Sequence, residues 1–245
     1  MKKVGVVIKD NYRTWLAWIV AAIASYIIAS YLVIGIAWLV HAYIPGVGMV
    51  GTIESLWLRV VVSVVALLLL MGMPKLLKLR LPDIRVIGLH RMLLWRDVAI
   101  SIAGMVVYAA LAMIAFTLAA QLPFFNPAEQ QDLGRTSLYG IEGVWAFLAL
   151  VVAVPVVEEA LFRGLLYGKL RQAHLSYWPA AIVVSLLFAI AHGQLNVAID
   201  VFCLSMVASY LRELTGSIWA GILLHMAKNA LAFFTVYTVL YAVGG

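Results

Sequence analysis

Charge is what this 245-residue sequence has least of. Asp, Glu, Lys and Arg together make up 11% of it, against about a quarter in soluble domains. Hydrophobic residues make up 65%. That balance excludes an ordinary water-soluble globule and predicts an integral membrane protein. Cysteine is nearly absent as well. A lone Cys203 excludes an intrachain disulfide and a cysteine-rich metal site. Because it lies in an apolar run, it reads as a buried, inert thiol. There is no internal repeat and no low-complexity tract. The basic N-terminus "MKKVGVVIKDNYR" lacks a small-residue cleavage site, and the apolar run behind it, Trp15 to about Tyr43, is much longer than a signal-peptide core. An uncleaved first membrane helix is expected. The net charge of +6 sits in the segments between apolar runs, so it reads as a topology signal, with membrane lipid as the surroundings and no nucleic acid as partner.

What the sequence has in abundance is long apolar runs. Seven spans are expected, at roughly 15–43, 53–73, 98–122, 143–170, 178–192, 197–212 and 217–242. The fifth and sixth are short for about 30 Å of hydrocarbon. The fold class is therefore all-α: a polytopic bundle of about seven transmembrane helices forming one membrane domain over residues 1–245. Residues 1–142 supply the N-terminal helices and a basic cytoplasmic loop, and residues 143–235 the core that carries the chemistry. Breaks fall at "IPGVGMVG" (44–51), "GMPK" (72–75), "LPFFNPAEQ" (122–130), "HGQLN" (192–196) and "LTGS" (214–217). Lys2, Lys3, Lys9 and Arg13 precede the first span, and six Lys or Arg residues lie between the second and third, from Lys75 to Arg96. Lys169 and Arg171 follow the fourth, and Arg212 follows the sixth. This alternation predicts a cytoplasmic N-terminus. The basic 74–97 segment reads either as an interfacial element on the cytoplasmic leaflet or as a solvated loop. Gly35, Gly104, Ser205, Ala208 and Ser209 read as small residues that permit close helix packing.

Against this apolar background a few ionisable residues stand inside the spans: Glu158, Glu159, Arg163, His192, Asp200, His225 and Lys228, with Asn229 beside them. Intramembrane polar groups are costly and are functional candidates by default. At 1.5 Å per helical residue, Glu158 lies roughly 16 Å above the cytoplasmic face, His192 about 21 Å, Asp200 about 18 Å, His225 about 13 Å and Asn229 about 19 Å. Residues of four helices thus share one mid-membrane slab, as a common polar cavity requires. Neighbours on a helix point about 100° apart, so Glu158 and Glu159 cannot serve one centre. Glu159 and Arg163 are i, i+4 and suit an ion pair, which leaves Glu158 to face the cavity. His225 and Asn229 are also i, i+4 and can aim donors at one oxygen. A carboxylate, a histidine and a paired donor set are what is needed to activate water and hold an oxyanion. Asp200 and Lys228 read as candidate outer supports. Either they pair, or Asp200 orients His192, or both face water.

Three short motifs carry a resemblance. "EEALFR" (158–163) matches Glu-Glu-x-x-x-Arg, "FAIAH" (188–192) matches Phe-x-x-x-His, and "HMAKN" (225–229) matches His-x-x-x-Asn. Their order and spacing resemble the CAAX prenyl protease and bacteriocin-processing family of intramembrane glutamic endopeptidases, related to the CAAX type II prenyl endopeptidase, over about residues 143–235. The resemblance implies a peptide hydrolase. Glu158 and His192 would activate a water, His225 and Asn229 would stabilise the oxyanion, and Glu159 and Arg163 would support them. It implies no cofactor and no metal ligands, with zinc ranked second because His and Glu clusters do bind it. The implied substrate is a peptide or protein with an apolar or lipidated C-terminal segment, in a prokaryotic plasma membrane. Three classes stay open: the endopeptidase, a non-proteolytic immunity or scaffold protein of the same family, and a proton-coupled transporter. The absence of an inverted repeat disfavours the last.

Overall fold

The structure is a computed structural model that describes residues 2–44, 52–76, 84–123, 125–126 and 141–235. Among these, every regular element is helical. In chain order they are α1 (Lys2–Tyr43), α2 (Thr52–Leu76), α3 (Ile84–Ile87), α4 (Trp95–Ala119), α5 (Ile141–Gln172), α6 (Tyr177–Ile190), α7 (Leu195–Thr215) and α8 (Trp219–Phe234). Lipid offers the backbone no hydrogen-bond partners, and a helix satisfies its own. Five described helices are long and apolar enough to cross a membrane: α1 over Tyr12–Tyr43, α2 over Glu54–Gly72, and α4, α5 and α7. The protein is a multi-pass, all-α membrane protein.

The described part of each of the seven expected spans falls on a helix, and among the described residues five helices reach crossing length. Helix α6 has 14 residues, about 21 Å of rise, and ends at Ile190, two residues before the expected limit at His192. Helix α8 has 16 residues. The expected continuation of that span to residue 242 lies outside the described residues, as do the breaks at 45–51 and 127–130, residues 77–83 of the basic segment, and Glu129, Asp132 and Arg135.

The chain divides into two compact units. The first comprises Met1–Val20, Pro82–Gln131 and Glu159–His225. Here α7 packs against both α4 and α6. Small residues make that approach close. Ser205, Ala208 and Ser209 on α7 are fully buried, and a Cβ added at Gly104 on α4 would come within 2.9 Å of Leu211 Cδ1. Tyr108, Leu204, Val207, Leu211 and Leu224 form the core of this region. Gly35, expected to permit close packing, has nothing within 4 Å of a built Cβ among the described residues, so none of them requires a glycine there.

Within the same unit, the part of the basic segment described from Ile84 onwards is docked on protein. A Cβ at Gly164 would meet the Ile87 carbonyl oxygen at 2.9 Å, and one at Gly168 the Val86 carbonyl oxygen at 2.7 Å. These two glycines, one turn apart on α5, form the shelf on which α3 lies. Arg212 Nη2 donates to the Val86 carbonyl at 2.9 Å, Ser217 Oγ to the Gly88 carbonyl at 2.8 Å, and Trp219 Nε1 to the Arg91 carbonyl at 2.8 Å. Arg91 closes the segment with a two-pronged pair to Asp97 at 2.6 and 2.7 Å. That bond holds the Arg91 guanidinium pKa above its ordinary value.

The second unit comprises Ala21–Leu81, Asp132–Glu158 and Met226–Gly245. Its core brings Leu56 of α2 against Ala146 and Ala149 of α5, with Trp57, Leu150 and Phe233 around them. The rings of Trp57 and Trp145 meet edge-on at 6.2 Å.

Candidate active site

Helix α5 is not a regular α-helix. It winds into a π register at Leu148–Ala153 and again at Ala160–Leu166, on either side of Glu158 and Glu159. Such stretches are rare and concentrate at functional sites. The first has a cause in the sequence. In the π register each carbonyl takes the N–H five residues on, as Ala149 does from Val154. Leu150 would then need the N–H of residue 155, and Pro155 has none. Asn229 fills the gap: its Nδ2 donates to the Leu150 carbonyl at 2.9 Å. A side-chain amide carries two N–H bonds, and this contact uses one. Both partners belong to the second unit, as does Glu158, which is half-buried and lies within electrostatic reach of Tyr26, as does Arg59.

In the first unit, Glu159 and Arg163 are both fully buried and pair, Oε1 to Nη1, at 3.1 Å. The same Oε1 lies 3.2 Å from Nδ1 of the buried His225. Two charges this far from water are tolerated only because they are paired. Space for the carboxylate comes from Gly221, one turn before His225. A Cβ there would come within 2.9 Å of Glu159 Oε2.

Phe188 organises the rest. Its ring is fully buried and lies 4.3 Å from the Arg163 guanidinium carbon. It also meets the rings of Phe162 at 4.9 Å, His192 at 4.8 Å and His225 at 5.9 Å. His192 itself sits just past the end of α6. There the backbone tightens: the His192 N–H reaches back three residues to Ala189, and so leaves the Phe188 carbonyl among the unmatched groups of a helix C-terminus. His192 Nδ1 caps that carbonyl at 2.8 Å. A carbonyl only accepts, so Nδ1 carries the proton, and in the neutral ring Nε2 is the basic nitrogen. Gly193 follows at φ +76°, a left-handed turn that a glycine adopts without strain.

Of the remaining expected residues, Asp200 on α7 accepts a short hydrogen bond from Tyr108 of α4. Lys228 is half-buried on α8 in the second unit. Among the described residues no three His, Cys, Asp or Glu side chains group as a metal site would. Sequence reasoning assigned no role to Phe188 and did not single out Gly221 or Pro155. Phe188 was visible as the first position of Phe-x-x-x-His, and Gly221 as a small residue one turn before His225.

These residues lie within one matched stretch. Residues 140–231 match the family described as type II CAAX prenyl endopeptidase Rce1-like. The matched stretch contains all three motifs. An uncharacterized 24.3 kDa protein of Escherichia coli is 30% identical over 92 residues, 36% of this chain. The match spans 42% of that protein's own length. No solved structure matches the chain. The matched stretch thus takes in the Glu159–Arg163–His225 cluster, the His192 turn and the Asn229 contact, while α1 to α4 lie outside it.

Proposed function

We propose that the protein is an intramembrane glutamic endopeptidase. Glu158, with His192, removes a proton from a water. The oxygen attacks the scissile carbonyl carbon, and the resulting oxyanion is held by His225 and Asn229. Collapse breaks the C–N bond as Glu158 returns the proton to the leaving amine. His225 acts here as an imidazolium, because its Nδ1–H faces Glu159 and only the doubly protonated ring also offers an Nε2–H. The step needs no metal. Asp200 and Lys228 are outer supports, Asp200 through its bond with Tyr108.

The observation that carries this reading is the engagement of one Glu159 oxygen with both Arg163 and His225. That carboxylate holds a donor in place, and proton transfer then belongs to its neighbour Glu158. His192 supports it with a tautomer that makes Nε2 the acceptor. The substrate class is supported by what lies beside Gly193, the residue after His192. A cavity of about 700 Å³ is walled mostly by apolar residues such as Ala189, Ile190, Leu195 and Phe202. It suits a peptide whose C-terminal side is apolar or lipidated. The basic residues at one end of the spans support a cytoplasmic N-terminus in a prokaryotic plasma membrane.

The test is to incubate the purified full chain in detergent with a library of membrane-associated peptides bearing apolar C-terminal segments, reading products by mass spectrometry. Internal cleavage at a defined bond is the expected result. Peptide binding without any product would replace this reading with that of a binding protein.

A further inference from the structure

The apolar cavity of about 700 Å³ lies within the first unit and has three walls. Helices α6 and α7 supply two of them, and these helices meet at the His192 turn. Ala189, whose carbonyl takes the His192 N–H, and Gly193, the residue after His192, both line the cavity. Helix α4, outside the matched stretch, supplies the third wall through Leu111 and Ala115, one turn apart. Small side chains make the recess. Ala115, Ala189, Ala198 and Cys203 lie along it, with Ala189 and Cys203 buried, while Leu111 and Ile190 stand exposed at its rim.

Packing fixes the α4 side of the recess. Tyr108 and Ala112 are buried against α7, and the Tyr108 hydroxyl donates to Asp200. Beside that bond Leu111 is exposed and Ala115 only half-buried, and the recess begins. The bond sets how far α4 stands from α7 there, so the recess is formed before anything enters it. Its wall decides what can enter. No charged side chain lines it, and the Cys203 thiol is its most polar one. A peptide backbone inside would give up its hydrogen bonds to water without finding others. A hydrocarbon group gives up none, so the wall admits an apolar side group and leaves the backbone outside.

We infer that Leu111 and Ala115 of α4 are specificity-determining residues: they set the size of the apolar group, on the C-terminal side of a peptide substrate, that the recess accepts beside the His192 turn. The inference rests on the endopeptidase reading proposed above. Gly193 favours a substrate group over a bilayer chain as occupant, because its place in the wall puts the recess one residue from the ring that, in that reading, helps activate the water. The test separates the two occupants.

Binding is read by fluorescence polarisation on the full chain carrying Glu158→Ala, in a neutral detergent. The probes are labelled peptides identical except at one position near the C-terminus, which holds alanine, leucine or a residue with a long linear alkyl side chain. Partition into detergent is common to all variants, so differences between variants report the recess. Ala115→Trp fills the recess and should weaken binding of the long-alkyl peptide, relative to the alanine peptide, by about tenfold or more, the size of overfilling a packed site. Leu111→Ala widens it and should shift the preference the opposite way. Because Leu111 is exposed, this variant covers the case in which Ala115→Trp does not fold. Ala110→Trp puts the same bulk on α4 at an exposed position outside the wall and should change neither. Binding that ignores the size of the varied group in all these proteins, or that changes alike in Ala115→Trp and Ala110→Trp, would overturn the inference and leave the recess to bilayer chains. Cleavage of the same peptides by proteins that keep Glu158 judges the enzyme separately. Cleavage without this selectivity would overturn the inference alone. Selectivity in binding without any cleavage would overturn the endopeptidase reading, while the role of Leu111 and Ala115 in choosing the bound group would stand.

Discussion

Glu159 makes two contacts with one oxygen, to Arg163 and to His225, and has no exposure. Glu159→Gln keeps the shape and removes the charge that the buried Arg163 guanidinium pairs with. The expected cost is about 3–5 kcal/mol of stability, read by urea unfolding in mixed micelles. Removing both charges together, with Arg163→Met, should return most of it. A Glu159→Gln protein as stable as the parent would mean the pair is not what holds this part of the domain. The pair was legible in the sequence because both members lie on one helix, four residues apart. The contacts that cross between helices were not. Nothing in the order of residues says that Tyr108 reaches Asp200, or that Gly221 is small because the Glu159 carboxylate lies against it. Such contacts depend on how helices are rotated about their axes, which apolar runs facing lipid on one side and protein on the other do not encode.

The elements were legible as apolar runs, but their winding was not. Both α and π registers bury a run of Leu, Val and Ala equally well, so hydropathy is silent on the two π stretches of α5. Only Pro155 marked the first of them. Restoring an N–H with Pro155→Ala gives the Leu150 carbonyl a donor within its own helix and removes the reason for Asn229 to bond there. Thermal stability should hold or rise, while turnover falls by tenfold or more because Asn229 loses its anchor. A fall in stability with unchanged turnover would contradict this account of the π stretch. The shelf beneath α3 makes a second prediction at this scale. In Gly168→Ala the new methyl would stand 2.7 Å from the Val86 carbonyl oxygen, an unyielding backbone atom. The α3 segment must lift, at about 1–3 kcal/mol, and its backbone should become cleavable by added protease. Unchanged resistance to protease would show that the segment tolerates the methyl. That residues 84–91 dock on protein was not visible beforehand, because a basic stretch between two spans reads equally as a loop or as an interfacial element.

At the scale of the whole molecule, fold class was the most legible property, since so little charge in so long a chain admits few alternatives. The number of crossings was less so, because α6 is short and length alone does not say how far protein replaces lipid around it. Orientation rests on the Lys and Arg pattern. With Cys203 replaced by serine, a cysteine placed at the exposed Gln172 should react with a membrane-impermeant thiol reagent only after the cells are opened. Labelling in intact cells would invert the topology. The resemblance was legible because three motifs lie in one stretch, whereas residues 1–139 lie outside the match.

The central claim is that a glutamate, without a metal, activates the water. Its most direct test is peptide cleavage by the wild-type protein beside Glu158→Ala, each with and without a strong chelator. Loss of a general base costs roughly 10²–10⁴-fold in rate. The account predicts a fall of that size in Glu158→Ala and no effect of chelator on the wild type. Activity lost with chelator and restored by zinc would contradict it and make the site a metal centre, and undiminished cleavage by Glu158→Ala would remove Glu158 from the reaction.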